Sequence, residues 1–190
     1  GAPRSGAERR GAARTGADPD DRIANGQVGM DQLELLIPLM TNMYDVPNDG
    51  IHEEVELQNM CLSTLLLATP QPITQWMEGY FAEDQRPHYA FLKRALKALQ
   101  FLEPKDRWVL KSPQHLGFIP ALMDVFPDAT LVCTHRDPVS VFTSWISMTV
   151  YAARMSRQPI KLDEVVPHAQ LLQRLLLDGI VRDKDSLPEG

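Results

Sequence analysis

The chain is poor in cysteine, in long apolar runs and in positive charge, and each shortage removes a class of protein. Only Cys61 and Cys133 occur in 190 residues. They lie far apart with no C-x-x-C spacing and no secretory leader before them, so neither a disulfide scaffold nor a thiolate metal site is expected. Both read as small buried hydrophobes in a reducing, cytoplasmic setting. No apolar stretch approaches the roughly 20 residues that span a bilayer, so no transmembrane segment is expected. With 19 Lys and Arg against 25 Asp and Glu, the net charge is -6. Such a surface repels nucleic acid and anionic membranes, so no nucleic-acid partner is expected and any phosphate must be met in a local pocket. Paired imidazoles are missing too. His52-Glu53 starts like the zinc-protease motif, but position 56, where the second His should stand, is Glu, and no metal site is expected.

What remains is the composition of one globular core, 44% hydrophobic and 23% charged. Residues 1–20 are Gly, Ala, Arg and Asp with almost nothing to bury, which predicts a mobile tail. Arg4-Ser-Gly and Arg14-Thr-Gly within it lack both the preceding strand and the following residues of a phosphate loop. A single domain is expected over 21–185, with 186–190 frayed.

From Asp21 apolar residues recur at threes and fours to Met40, and further helices are predicted over about 56–68, 74–83, 87–102 and 162–181. Trp76, Tyr80, Phe81, Tyr89, Phe91 and Phe101 are expected in the core, and Lys93, Arg94 and Lys97 on an exposed face. Glu53, Glu54 and Glu56 read first as a solvated acidic helix start. The other reading turns one carboxylate into the cleft.

The segment from Arg107 to Arg154 is the most informative. A strand, Trp108 to Lys111, runs into Ser112-Pro113-Gln114-His115, then a helix over about 116–126, then a second strand, Thr130 to Thr134. This predicts a β-α-β crossover whose two parallel strands open on the same edge, where basic and hydroxyl residues at helix starts make an anion site. His135-Arg136-Asp137-Pro138 follows, with Asp137 as the cap and Pro138 as the first residue of the next helix. Arg136 offers a planar charged fork and Ser144 a hydroxyl two helical turns on, enough to clamp one phosphate. His-Arg-Asp also opens the catalytic loop of protein kinases. That loop needs Asn at position 142, where Phe stands, and its glycine-rich loop and magnesium ligands are missing.

The run Trp108-Val-Leu-Lys-Ser-Pro-Gln-His-Leu, followed by Phe126 through His135-Arg-Asp-Pro to Ser144, resembles the PAPS-dependent sulfotransferases, in particular their bacterial branch. The resemblance implies an α/β, P-loop nucleotide-kinase-like sulfotransferase fold, helix-rich, with a small and incomplete parallel sheet. It implies PAPS (3′-phosphoadenosine 5′-phosphosulfate) as donor, no metal, and a hydroxyl or amine of a small-molecule, lipid or glycan as acceptor. Arg136 and Ser144 would bind the 3′-phosphate, with Lys111 and Ser112 at the leaving phosphate. In cytosolic relatives a catalytic His lies two residues after the Lys, where this chain has Pro113. The general base is therefore left between His115 and a carboxylate, Glu53 or Glu54. The family's N-terminal loop for the 5′-phosphosulfate finds no match, so the chain is expected to be truncated, with an exposed sheet edge and low or no transferase activity alone. A noncatalytic remnant binding adenosine 3′,5′-bisphosphate or a protein partner is the alternative. The Leu-rich helix near the C-terminus is expected to pack on the sheet, with a homodimer contact as its other use.

Overall fold

The computed structural model describes residues 22–43, 50, 52–69, 71–155 and 159–186. The tail expected over 1–20, and residues 187–190 of the frayed end, lie outside these. The chain divides into two compact units, Gly1–His52 and Glu53–Gly190. In the first, α1 (Arg22–Leu36) falls within the helical run predicted from Asp21 to Met40, and a short α2 (Met40–Met43) extends past its end. The N–H of Ile37 still bonds Leu33 O at 2.8 Å; Pro38, with no N–H to give, ends the run.

The second unit is built from α3 (Val55–Asn59), α4 (Thr74–Ala82), α5 (Arg86–Leu102), α6 (Ile119–Val125), α7 (Pro138–Ala152) and α8 (Leu162–Asp183), with a 3-10 turn at Leu65–Leu67 and another at Pro113–Gly117. On α5, Tyr89, Leu92 and Leu96 turn inward while Arg94 and Lys97 face water. Lys93 departs from the expected exposed face, its ammonium donating to Val125 O at 2.5 Å and lying over the Phe126 ring. On α8, Val165, Ala169, Leu172 and Leu176 make the matching stripe. These stripes close on Met77, Tyr80, Phe118 and Leu122, each large apolar side chain contributing roughly 1.5–3 kcal/mol by leaving water. Tyr80 meets Phe118 edge-on and stacks on Trp76, and Phe81 stacks on Phe118. Phe101 does not join them. It is 85% exposed, because α5 has run past the core by its last turn.

The predicted crossover helix is divided. Pro113–Gly117 forms a 3-10 turn, Phe118 is non-helical, and α6 starts afresh with Pro120 in its first turn. Pro120 has no N–H for the carbonyl of Leu116, so one continuous helix cannot form across it.

The expected sheet requires correction. Among the described residues no strand is formed, and both predicted strand segments run as irregular chain. Val109 is 88% exposed and Val132 84%, where a parallel sheet would have buried them between two layers of helix. Local β-propensity cannot supply neighbours, and a strand without ladder partners on each side gives its backbone groups to water or side chains. Lys111 shows this directly: its N–H is taken by a carboxylate of Glu54. Cys133, expected to be buried within the second strand, is exposed for the same reason. No helix among the described residues is long and apolar enough to cross a membrane.

Candidate active site

Ser112 sets the turn that shapes the site. Its backbone is extended, its hydroxyl accepts from Gln114 N at 3.4 Å, and Pro113 fills the first helical position, a pairing that starts a tight helical turn. The turn is then held from two helices and a 3-10 turn. Gln114, fully buried, donates to Gln58 Oε1 on α3 and accepts from Leu65 N at 3.2 Å. Arg182 on α8 donates to Gly117 O at 3.1 Å. Gly179 on α8 lies so close that a Cβ there would sit 2.5 Å from Leu116 O and 2.7 Å from Gly117 Cα.

This bracing aims His115 at α3 and α5. Its Nε2 lies 2.5 Å from Glu54 Oε1, and its Nδ1 lies 2.9 Å from the hydroxyl of Tyr89. An ionised carboxylate can only accept, so Nε2 carries the proton and Nδ1 accepts from Tyr89. Glu54 Oε2 accepts the N–H of Lys111 at 2.7 Å. One hydrogen-bonded chain thus runs Tyr89, His115, Glu54, Lys111. Burial pushes the Glu54 carboxyl up, but the hydrogen bond from His115, with the N–H groups of Glu54 and Lys111, outweighs it and leaves the net shift downward. Burial pushes the Tyr89 phenol well up, with Tyr80 and Glu54 adding to it. Glu54 is therefore the ionised member and Tyr89 the neutral donor.

The acidic helix start is accordingly not one solvated face. The Glu54 side chain is 1% exposed and Glu56 faces water. Glu53 lies between, its side chain 21% exposed, paired through Oε1 with the ammonium of Lys111, whose own side chain is 73% exposed. The structure thus brings Lys111, Ser112, His115, Glu53 and Glu54 together.

Arg136 and Ser144 lie on a second stretch. Asp137 caps α7, accepting from Ser140 N at 3.0 Å and Ser140 Oγ at 2.6 Å, and these bonds, the hydroxyl's first, hold its carboxyl below the usual value. Pro138 opens the helix, as expected from the sequence. Thr143 and Ser147 turn their hydroxyls back onto helix carbonyls. Ser144 does not. Its hydroxyl and the guanidinium of Arg136 are exposed and make no hydrogen bond or ion pair among the described residues. A free fork just before the helix N-terminus and a free hydroxyl about two turns into the helix are donors that an anion can use.

Sequence reasoning took Tyr89 for a core aromatic and passed over Gln58, Gln114 and Gly179. Two glutamines on segments that otherwise pack inward were the available signal, since a buried amide needs a partner. Tyr89 carried none, because its partner is 26 residues away.

A family model described as the sulfotransferase family matches residues 30–184. No curated protein and no solved structure matches the chain.

Proposed function

Since the chain belongs to the sulfotransferase family, we propose that it moves a sulfuryl group from PAPS to a hydroxyl or amine of a small-molecule, lipid or glycan acceptor. The observation that carries this reading is the presence of two sets of groups on separate stretches of the chain. One is the uncommitted guanidinium of Arg136, just before α7, and the uncommitted hydroxyl of Ser144, about two turns into it. The other is an ammonium, Lys111, projecting from a turn whose backbone is locked by Glu54 and His115. Arg136 and Ser144 take the 3′-phosphate, which selects PAPS over nucleotides with a 5′-group alone. Lys111, with the neighbouring hydroxyl of Ser112, takes the phosphate that departs.

Transfer is an in-line displacement at sulfur. The acceptor oxygen or nitrogen forms the new bond as the bond from sulfur to the 5′-phosphate breaks, and the electron pair leaves with that phosphate. Negative charge therefore grows beside Lys111, where a fixed ammonium stabilises the transition state more than the ground state. Glu54 and His115 act through Lys111. Their hydrogen-bonded chain keeps its backbone from drifting, and a drift of about 1 Å at such a site costs roughly 100-fold in rate.

The test is transfer from PAPS labelled in its sulfuryl group to a panel of alcohols, sugars and amines. Any label transferred above the uncatalysed background should be lost in Arg136→Ala and Lys111→Ala. Transfer that survives both substitutions would refute the assignment.

A further inference from the structure

Tyr89 brings a hydroxyl into an inward stripe of α5 that is otherwise Leu92 and Leu96, and the tyrosine is 1% exposed. A phenylalanine would fill the same space. A phenol buried there destabilises the fold unless its O–H finds a partner. That partner is His115 Nδ1 at 2.9 Å, and the hydroxyl makes no other hydrogen bond among the described residues. The far side of the ring sets the direction of this bond. Nε2 lies 2.5 Å from Glu54 Oε1 and holds its proton there, so Nδ1 has only a lone pair to offer and Tyr89 donates to it. Two donors cannot share one hydrogen bond. The phenol O–H therefore occupies the place at Nδ1 that a second ring proton would need, and turning it away would leave it buried without an acceptor. Burial first, then Tyr80 and Glu54, keep the phenol protonated.

Resting on the sulfotransferase reading, we propose that Tyr89 is a positioning residue of the transfer step: from the core it fixes His115 as the neutral Nε2–H tautomer, and through Glu54 it fixes the backbone of Lys111. The ring stays uncharged, so Lys111 is the one cation in the chain that runs Tyr89, His115, Glu54, Lys111. The other supports of the turn do not pass through Tyr89. They are Gln114 with Gln58 and Leu65, and Arg182 with Gly117. Loss of the phenol O–H thus slackens the path to Lys111 while the turn itself stays folded.

The experiment compares the wild type with Tyr89→Phe, which keeps the ring and removes only the hydroxyl. Nitrogen NMR of the wild type at neutral pH, with the His115 signals identified as those lost in His115→Gln, should show a protonated Nε2 and a bare Nδ1. The Lys111 amide proton, drawn downfield by its bond to a carboxylate, should move back upfield in Tyr89→Phe, while the amide protons of Leu92 and Leu172 keep their positions. A simple loss of stability does not shift a resonance of the folded state. In sulfuryl transfer Tyr89→Phe should lower kcat by about tenfold, part of the cost of a misplaced catalytic group. Its affinity for adenosine 3′,5′-bisphosphate should stay within about twofold of wild type, because the ammonium itself is untouched. A wild-type His115 protonated at Nδ1, a Lys111 amide unmoved by Tyr89→Phe, or a kcat within about twofold of wild type overturns the proposal. If the wild type sulfates no acceptor, the reading of the reaction fails, a failure separate from the two NMR outcomes.

Discussion

Replacing Glu54 by Gln removes one negative charge and one acceptor from the centre of the hydrogen-bonded chain while keeping its shape. The side chain is 1% exposed and faces two donors, His115 Nε2 and the Lys111 N–H. The carboxamide can accept from only one. Its NH2 then points at the other donor unless His115 changes tautomer, and that change leaves the buried Tyr89 hydroxyl without an acceptor. On either route one buried donor is orphaned, which costs about 1–3 kcal/mol. For a chain of this size about 2 kcal/mol corresponds to a fall in Tm of roughly 4–8 °C. The pH dependence follows from the downward shift of the Glu54 carboxyl. A group whose folded value lies below its ordinary value of 4.5 contributes fully above that value and loses its contribution as pH falls through the folded value. The gap between wild type and Glu54→Gln should therefore be complete at about pH 7 and shrink below about pH 4. Thermal melts followed by helical circular dichroism at both pH values measure it. Equal Tm at neutral pH, or a gap that stays constant or widens in acid, would show that Glu54 is not an ionised acceptor of these two bonds.

Gly179→Ala should cost about 1–3 kcal/mol in a denaturant melt, since the new Cβ would meet backbone atoms of Leu116 and Gly117 at 2.5 and 2.7 Å. The same variant should weaken nucleotide binding, because the displaced turn carries Lys111 and His115. Phe101→Ser should change stability by no more than about 0.5 kcal/mol, as its ring is already in water; a loss above about 2 kcal/mol would mean the ring is buried after all.

Most helices were readable because their signals are local, but the one expected over about 56–68 stops at Asn59, with Leu62 at φ 57° and a 3-10 turn at Leu65–Leu67. The spacing of Tyr89, Leu92 and Leu96 on α5, the Leu stripe of α8 and the Asp137-Pro138 start of α7 each lie within a few turns of chain. The two strand segments look just as clear over four or five residues, yet a strand exists only when another backbone lies beside it. No residue in Trp108 to Lys111 reports whether that neighbour is there. The site was half legible for the same reason. Lys111, His115 and Glu54 were candidates by chemical type, but the bonds that join them span 57 and 61 residues, and no periodicity encodes contact at that range. The burial of Glu54 reversed the simpler reading of the acidic run, because a helix start facing a basic loop is shielded in a way that only tertiary packing decides. Arg136 and Ser144, by contrast, lie on one short stretch, and their relation to α7 could be read directly.

The central claim is that Arg136 and Ser144 hold a 3′-phosphate, and calorimetric titration with adenosine 3′,5′-bisphosphate against adenosine 5′-monophosphate tests it most directly. The wild-type chain should prefer the bisphosphate, and Arg136→Ala should bind it about 10- to 100-fold more weakly, the worth of a charge-assisted contact of about 1.5–3 kcal/mol. Affinity for the monophosphate should be unchanged by that substitution. Equal binding of the two nucleotides by the wild type, or an Arg136→Ala variant that binds the bisphosphate as the wild type does, would contradict the account.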